Sequence, residues 1–260
     1  MDARPVGAFD SGVGGLAVVR AFRQLAPAER VIYFADSAWF PYGPRPPAEV
    51  RKRAFAITHR LLESDVKLII VACNTASAAA LRELREAFPG VPFVGMVPGV
   101  KPAALRSKSG HVAVLATAGT LDGELYDRVV EQFGRGTKVT AVAGTGLADM
   151  VERGDISGPA IAARLEQLLG PAVGRGADTV VLGCTHYAFL GEAITRLFPS
   201  VEVVDTSEAA ARRAVDLLCD ADALSPGPGG LDLIVSGDRQ RLRATMAALG
   251  FTPAEQEANR

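Results

Sequence analysis

Short apolar runs alternate with amphipathic segments along almost the whole chain. The runs fall at 6–9, 31–35, 67–72, 93–97, 112–116, 138–142, 179–183, 201–204 and 231–235. Their length and their Val and Ile content predict strands buried on both faces. The stretches between them carry the helical period. Over 76–88, Leu81, Leu84 and Phe88 recur at spacings of three and four, while Arg82, Glu83, Arg85 and Glu86 point the other way. Val50, Ala54, Ile57 and Leu61 repeat the pattern one segment earlier. Buried strands alternating with helices predict βαβ units and mainly parallel sheets.

Two landmarks recur. Leu68 to Thr75 and Thr179 to His186 are each strand, cysteine, small polar residues and helix, with the cysteines 111 positions apart. Val6 to Gly12 and Val112 to Gly119 are each strand followed by a glycine-containing turn, offset by 106. Nearly equal offsets predict two similar three-layer α/β domains related by pseudo-two-fold symmetry, with a cleft between them. The Pro98-Gly99 turn marks the break. The expected division is 1–97 plus 207–260 for the first domain and 98–206 for the second. The polar end, 255–260, is expected to fray.

Composition narrows the function classes. With 48% hydrophobic and 22% charged residues the chain can bury a sizeable core, which excludes a disordered or collagen-like protein. A net charge of −1 leaves no basic excess for nucleic acid or an anionic membrane. No apolar run approaches the roughly 18 residues of a spanning helix. The first nine residues carry Asp2 and Pro5 and lack the apolar stretch of a signal peptide, and the three cysteines are far apart. A cytoplasmic protein with reduced thiols is expected, with neither nucleic acid nor membrane as partner.

One turn offers a nucleotide. Gly12-Val-Gly14-Gly-Leu-Ala17 matches the G-x-G-x-x-A fingerprint after a strand, and Asp36 ends the second strand where a ribose-binding acid belongs. Against this, polar Asp10 and Ser11 interrupt the approach to the glycines, and the loop after Asp36 is elaborate. The plainer reading is a tight strand-to-helix turn with an anion site at the helix N-terminus.

The cysteines carry a second chemistry. Asp10 with Ser11, Cys73 with Asn74 and Thr75, and Cys184 with Thr185 and His186 all end strands, where open α/β sheets bind ligands. Cys219 lies in a helical segment and reads as core. Zinc on Cys73, Cys184, His186 and Asp10 lacks the usual C-x₂₋₄-C pairing. A Cys184–His186 hydrolase leaves Cys73 without a task. Paired acid–base work uses both thiols: one removes a proton from carbon while the other donates to the opposite face.

Four motifs in order resemble the glutamate racemase family: Phe9-Asp-Ser-Gly-Val-Gly-Gly-Leu16, Phe40-Pro-Tyr-Gly43, Val71-Ala-Cys-Asn-Thr-Ala-Ser77 and Leu182-Gly-Cys-Thr-His-Tyr187. Weaker likeness runs through Gly95 to Pro98, Ala116 to Thr120 and Val204 to Thr206. The resemblance implies a cofactor-independent, metal-free isomerase that interconverts L- and D-glutamate for peptidoglycan, and a homodimer. It implies that Cys73 takes the α-proton of D-glutamate and Cys184 that of L-glutamate. Asp10, His186 and Glu152 would assist. Asp10, Ser11, Tyr42, Gly43, Asn74, Thr75, Thr185 and His186 would contact substrate. Arg45-Pro46-Pro47 and Trp39 depart from the family pattern. Another amino-acid racemase, acting on aspartate, and the dinucleotide module remain the alternatives.

The core motifs contain neither Lys nor Arg, so a dianionic substrate has to be held by neutral donors: the side chains of Ser11, Asn74, Thr75 and Thr185, and backbone N–H groups at helix N-termini. His59 on a charged helix and His111 opening a strand read as surface or structural residues. Asp36 reads as a turn or supporting acid, and Asp205 and Thr206 as a turn or N-cap.

Overall fold

The computed structural model describes residues 1–252; the end expected to fray lies outside them. Among the described residues nine strands form two sheets, and every strand pair is parallel. The strands are β1 (Val6–Asp10), β2 (Arg30–Ala35), β3 (Leu68–Val71), β4 (Phe93–Gly95), β5 (His111–Ala116), β6 (Lys138–Ala143), β7 (Thr179–Gly183), β8 (Glu202–Val204) and β9 (Gly230–Val235). The order is β4-β3-β1-β2-β9 in one sheet and β6-β5-β7-β8 in the other. Without β9 the two are the same arrangement, with β1, β2, β3 and β4 standing where β5, β6, β7 and β8 stand. That equivalence is the structural content of the repeated landmarks.

Strand alternation builds the layers. On β3, Leu68 and Ile70 face one side of the sheet and Ile69 and Val71 the other, and all four are fully buried. Side chains of this size each contribute about 1.5–3 kcal/mol on burial. The first side is covered by helices Leu16–Leu25 and Ser207–Asp220, the second by Pro47–Leu62 and Asn74–Ala87. The other sheet is sandwiched likewise, with Val100, Ala103, Tyr126 and Val129 on one face and Ile161, Leu165, Leu169 and Ile194 on the other. Helices on both faces are what parallel strands, apolar on both sides, require.

The chain crosses between the sheets twice, after β4 and after β8. The second crossing returns it through helix Ser207–Asp220 to β9, which pairs with β2 from Arg30↔Gly230 to Ala35↔Val235. Beside the crossings lies a cavity of about 360 Å³ with Arg85, Lys101 and Arg213 on its wall. It contains none of the side chains that the sequence marks as chemical.

One expectation fails here. Cys219 is exposed, not core. Ala211, Ala214 and Leu218 face inward on its helix, and the next position is turned about 100° away from Leu218.

Candidate active site

A narrow cavity lies where the carboxyl ends of the two sheets meet. Asp10, Ser11, Tyr42, Gly43, Cys73, Asn74 and Thr75 line it from the first half, and Cys184, Thr185 and His186 from the second. Every predicted substrate contact and both predicted bases are therefore in one place. Glu152 stands behind the wall, at the end of helix Leu147–Glu152. The free space is ≈ 20 Å³, room for about one water molecule.

The strand ends place these groups. Cys73 follows β3 and caps helix Asn74–Ala87, its Sγ accepting the Ala76 N–H at 3.5 Å. Cys184 follows β7, the counterpart of β3, and opens the 3₁₀ turn Thr185–Leu190. Burial pushes the Cys73 thiol well above its ordinary value, and the neighbouring Asp10 carboxylate adds to the shift; the Ala76 N–H opposes both. The Asp10 carboxylate accepts the Gly15 N–H at 2.7 Å and the Thr185 hydroxyl at 3.3 Å.

On the other side, His186 Nδ1 lies 3.9 Å from Cys184 Sγ, and its Nε2 is 2.7 Å from Glu152 Oε1. Burial opposes charge on this ring. Hydrogen bonds to Cys184 and Glu152 outweigh it with the Asp10 charge, and hold the imidazole well above its ordinary pKa. The His186 imidazole faces the Cys184 sulfur, whereas the Asp10 carboxylate stands beside Cys73, so each thiol has its own polar neighbour.

The glycine turn fits the second half and leaves no cradle for phosphate. A Cβ on Gly12 would stand 1.8 Å from Glu152 Oε1; one on Gly14 would stand 2.4 Å from His186 Nδ1. Glu152 Oε1 also accepts the Val13 N–H at 2.7 Å. The acid that would hold a ribose is committed too. Asp36 is fully buried, takes both Nε and Nη2 of Arg53 at 2.7 and 2.6 Å, and accepts the Tyr42 hydroxyl at 2.5 Å. The dinucleotide alternative is thereby overturned: its pyrophosphate space is filled by side chains and its acid is neutralised.

Among the described residues no three His, Cys, Asp or Glu side chains converge as metal ligands. What the cavity does present is an orphan amide. Both polar atoms of Asn74 are buried without a partner, a state that costs about 1–3 kcal/mol per group unless a ligand meets it.

Sequence reasoning passed over Thr117 and Thr120. Thr117 lines the cavity, and its hydroxyl lies 2.9 Å from that of Thr75 and 3.0 Å from that of Thr120. The signal was present, since Thr117 follows β5, the counterpart of β1, as Ser11 follows β1. His111 is buried, with Nε2 2.8 Å from the Thr140 hydroxyl, and His59 is an exposed residue stacked edge-on against Phe88. Asp205 makes a turn, accepting the N–H and hydroxyl of Ser207. The departures in the cavity loop pack on each other: Arg45 Nε donates to the Trp39 carbonyl at 2.9 Å with its guanidinium 5.0 Å from the indole, and Pro47 begins helix Pro47–Leu62.

Comparison with known proteins points the same way as the geometry. The model of the Asp/Glu/hydantoin racemase family matches residues 15–214. A glutamate racemase of Stutzerimonas stutzeri is 40% identical over 248 residues, 95% of this chain and 94% of that protein. The glutamate racemase of Thermus thermophilus, solved with β-chloro-D-alanine, superposes with a TM-score of 0.85 at 37% identity, covering 100% of this chain and 97% of the other. That of Escherichia coli, solved with L-glutamate and the activator UDP-MurNAc-Ala, gives 0.84 at 34% identity over 95% and 96%.

Proposed function

The chain belongs to the Asp/Glu/hydantoin racemase family and racemises glutamate, and we propose that it does so by two proton transfers at opposite faces of the α-carbon, carried by Cys73 and Cys184. The observation that carries this reading is the placement of two buried cysteines at the ends of equivalent strands, both lining one cavity.

From L-glutamate, Cys184 Sγ takes the α-proton while the thiol of Cys73 delivers its own to the other face; from D-glutamate the roles exchange. His186, oriented by Glu152, holds a proton at Nδ1 toward Cys184, and Asp10 stands beside Cys73. After a turnover the proton has moved from one sulfur to the other, and these partners support its return. Asn74, Ser11, Thr75 and Thr185 meet the substrate carboxylates as neutral donors. The unpartnered Asn74 amide supports that assignment most directly. Donors aimed at the site also lower the energy of the charge that develops as the α-carbon loses its proton.

A cavity of ≈ 20 Å³ does not accept glutamate, so the halves, 1–97 with 207–260 and 98–206, open about the two crossings to admit it. Closure then excludes water from the thiols, which strengthens every electrostatic contact inside. The same reading places the enzyme in the cytoplasm, where thiols stay reduced, as a homodimer supplying D-glutamate to peptidoglycan synthesis.

The direct test is L-glutamate with chelator-treated protein and no added cofactor, followed by circular dichroism. Decay of the signal to zero is expected. A constant signal with glutamate and a decaying one with L-aspartate would move the enzyme to the aspartate specificity.

A further inference from the structure

The loop between β2 and helix Pro47–Leu62 touches both halves of the molecule. On the far side the Gly119 N–H donates to the Gly43 carbonyl at 3.1 Å, and the Phe40 ring lies 5.5 Å from the imidazole of His186. On the near side the Ala38 N–H donates to the Ser236 hydroxyl at 3.1 Å, and one buried carboxylate gathers the rest. Asp36, at the loop's start, accepts the Tyr42 hydroxyl from the loop's middle and the fork of Arg53 from the helix at its end. Its backbone N–H donates to the Asp10 carbonyl at 2.9 Å, and its own carbonyl accepts the Trp39 N–H at 2.9 Å.

Neither Asp36 nor Arg53 lines the cavity. Tyr42 does, and it is 1% exposed. With its hydroxyl committed to Asp36, Tyr42 offers the cavity its ring and backbone and not its O–H. We infer that Asp36 and Arg53 are positioning residues for the racemase site, acting through the Tyr42 phenol to hold the 37–46 loop in the cleft-closing conformation. This rests on the racemase reading. If the loop were not held in advance, substrate binding would have to order it, and that cost appears in KM before it appears in kcat.

Arginine suits the task better than lysine because its planar fork meets both carboxylate oxygens at once, whereas an ammonium is a point charge. The pair also has a built-in reporter. Trp39 is the chain's single tryptophan, 38% exposed, with its ring 5.3 Å from the Arg53 guanidinium.

The test compares wild type with Arg53→Ala, Arg53→Lys and Asp36→Asn, using glutamate racemisation kinetics and acrylamide quenching of Trp39. Arg53→Ala is expected to raise KM about tenfold with kcat within about threefold, and Arg53→Lys to fall between it and wild type. Without substrate, Trp39 is expected to be quenched more steeply in Arg53→Ala and Asp36→Asn than in wild type. Unchanged KM and quenching in the Ala variant, or a loss of kcat alone that lysine does not mend, overturns the inference. If the Ala variant does not fold, Arg53→Lys decides by the same two readouts. A wild type inert toward glutamate overturns the racemase reading and with it the catalytic part of the inference, while Trp39 quenching still decides whether the pair holds the loop.

Discussion

His186 and Glu152, both in the second half, are joined by one 2.7 Å hydrogen bond, and the same carboxylate oxygen reaches across the junction to accept the Val13 N–H, also at 2.7 Å. The glycine turn after β1 thus fixes the acid that orients the imidazole beside Cys184. Glu152 is further steadied from behind, where the Thr245 hydroxyl donates to its carbonyl at 2.8 Å. A segment that reads as a nucleotide fingerprint is, in this fold, a seat for the Glu152–His186 pair.

Gly12→Ala tests that seat. The new Cβ would fall on the Glu152 carboxylate, the movable end of a side chain, so the fold survives while the acid shifts off His186. The expected outcome is a stability loss of about 1 kcal/mol, or about 2–4 °C in Tm, alongside a fall in kcat/KM on the order of tenfold or more. Calorimetry and racemisation kinetics on one preparation check both halves of the statement.

Glu152→Gln keeps a hydrogen-bonding partner for His186 and removes its charge. Because the two glutamate enantiomers have equal free energy, kcat/KM has to fall equally in both directions, by on the order of 10²-fold for weakened acid–base support. The variant also changes the pH dependence of stability. His186 has a raised pKa in the folded protein, so its contribution is complete below its unfolded value of about 6.5 and is lost as pH rises through the folded value. In wild type Tm is expected to decline with pH above about 6.5. In Glu152→Gln that decline is expected to be shallower, as differential scanning calorimetry across the range would show.

Away from the site, Lys67 and Glu29 form a buried ion pair at 2.8 Å, with side chains 2% and 1% exposed. Lys67 Nζ also donates to the carbonyls of Asp2 and Ala223, both at 2.7 Å, and the second Glu29 oxygen accepts the Ser225 N–H. This cluster ties the chain's start and the approach to β9 beneath the first sheet. Lys67→Met leaves Glu29 charged, buried and uncompensated. A loss of about 3–5 kcal/mol is expected in chemical denaturation.

Much of this was legible in the residues. Each of the nine apolar runs is a strand, within a residue or two at its ends; β1, β3, β5 and β7 are buried on both faces as their continuous apolar runs predict, whereas the edge strands β6 and β9 are only partly buried. The equivalence of Cys73 and Cys184 was legible too, since each ends a strand and opens a helical turn. Contacts made only by folding were hidden. The Arg53 fork on Asp36 joins residues on a helix and a strand end, and no periodicity marks it. Thr117 and Thr120 sat in view in a motif but carried no chemistry until the halves brought them against Thr75. Cys219 misled because a helical stretch of small apolar residues does not by itself say which flank is covered.

The measurement closest to the central claim is L-glutamate in deuterium oxide with wild type, Cys73→Ser and Cys184→Ser, following the α-proton by NMR and optical activity by circular dichroism. Wild type is expected to lose both signals together. Each variant is expected to stop racemising while keeping its fold, because one face has then lost its proton carrier. A variant that racemises glutamate at the wild-type rate would contradict the two-cysteine account.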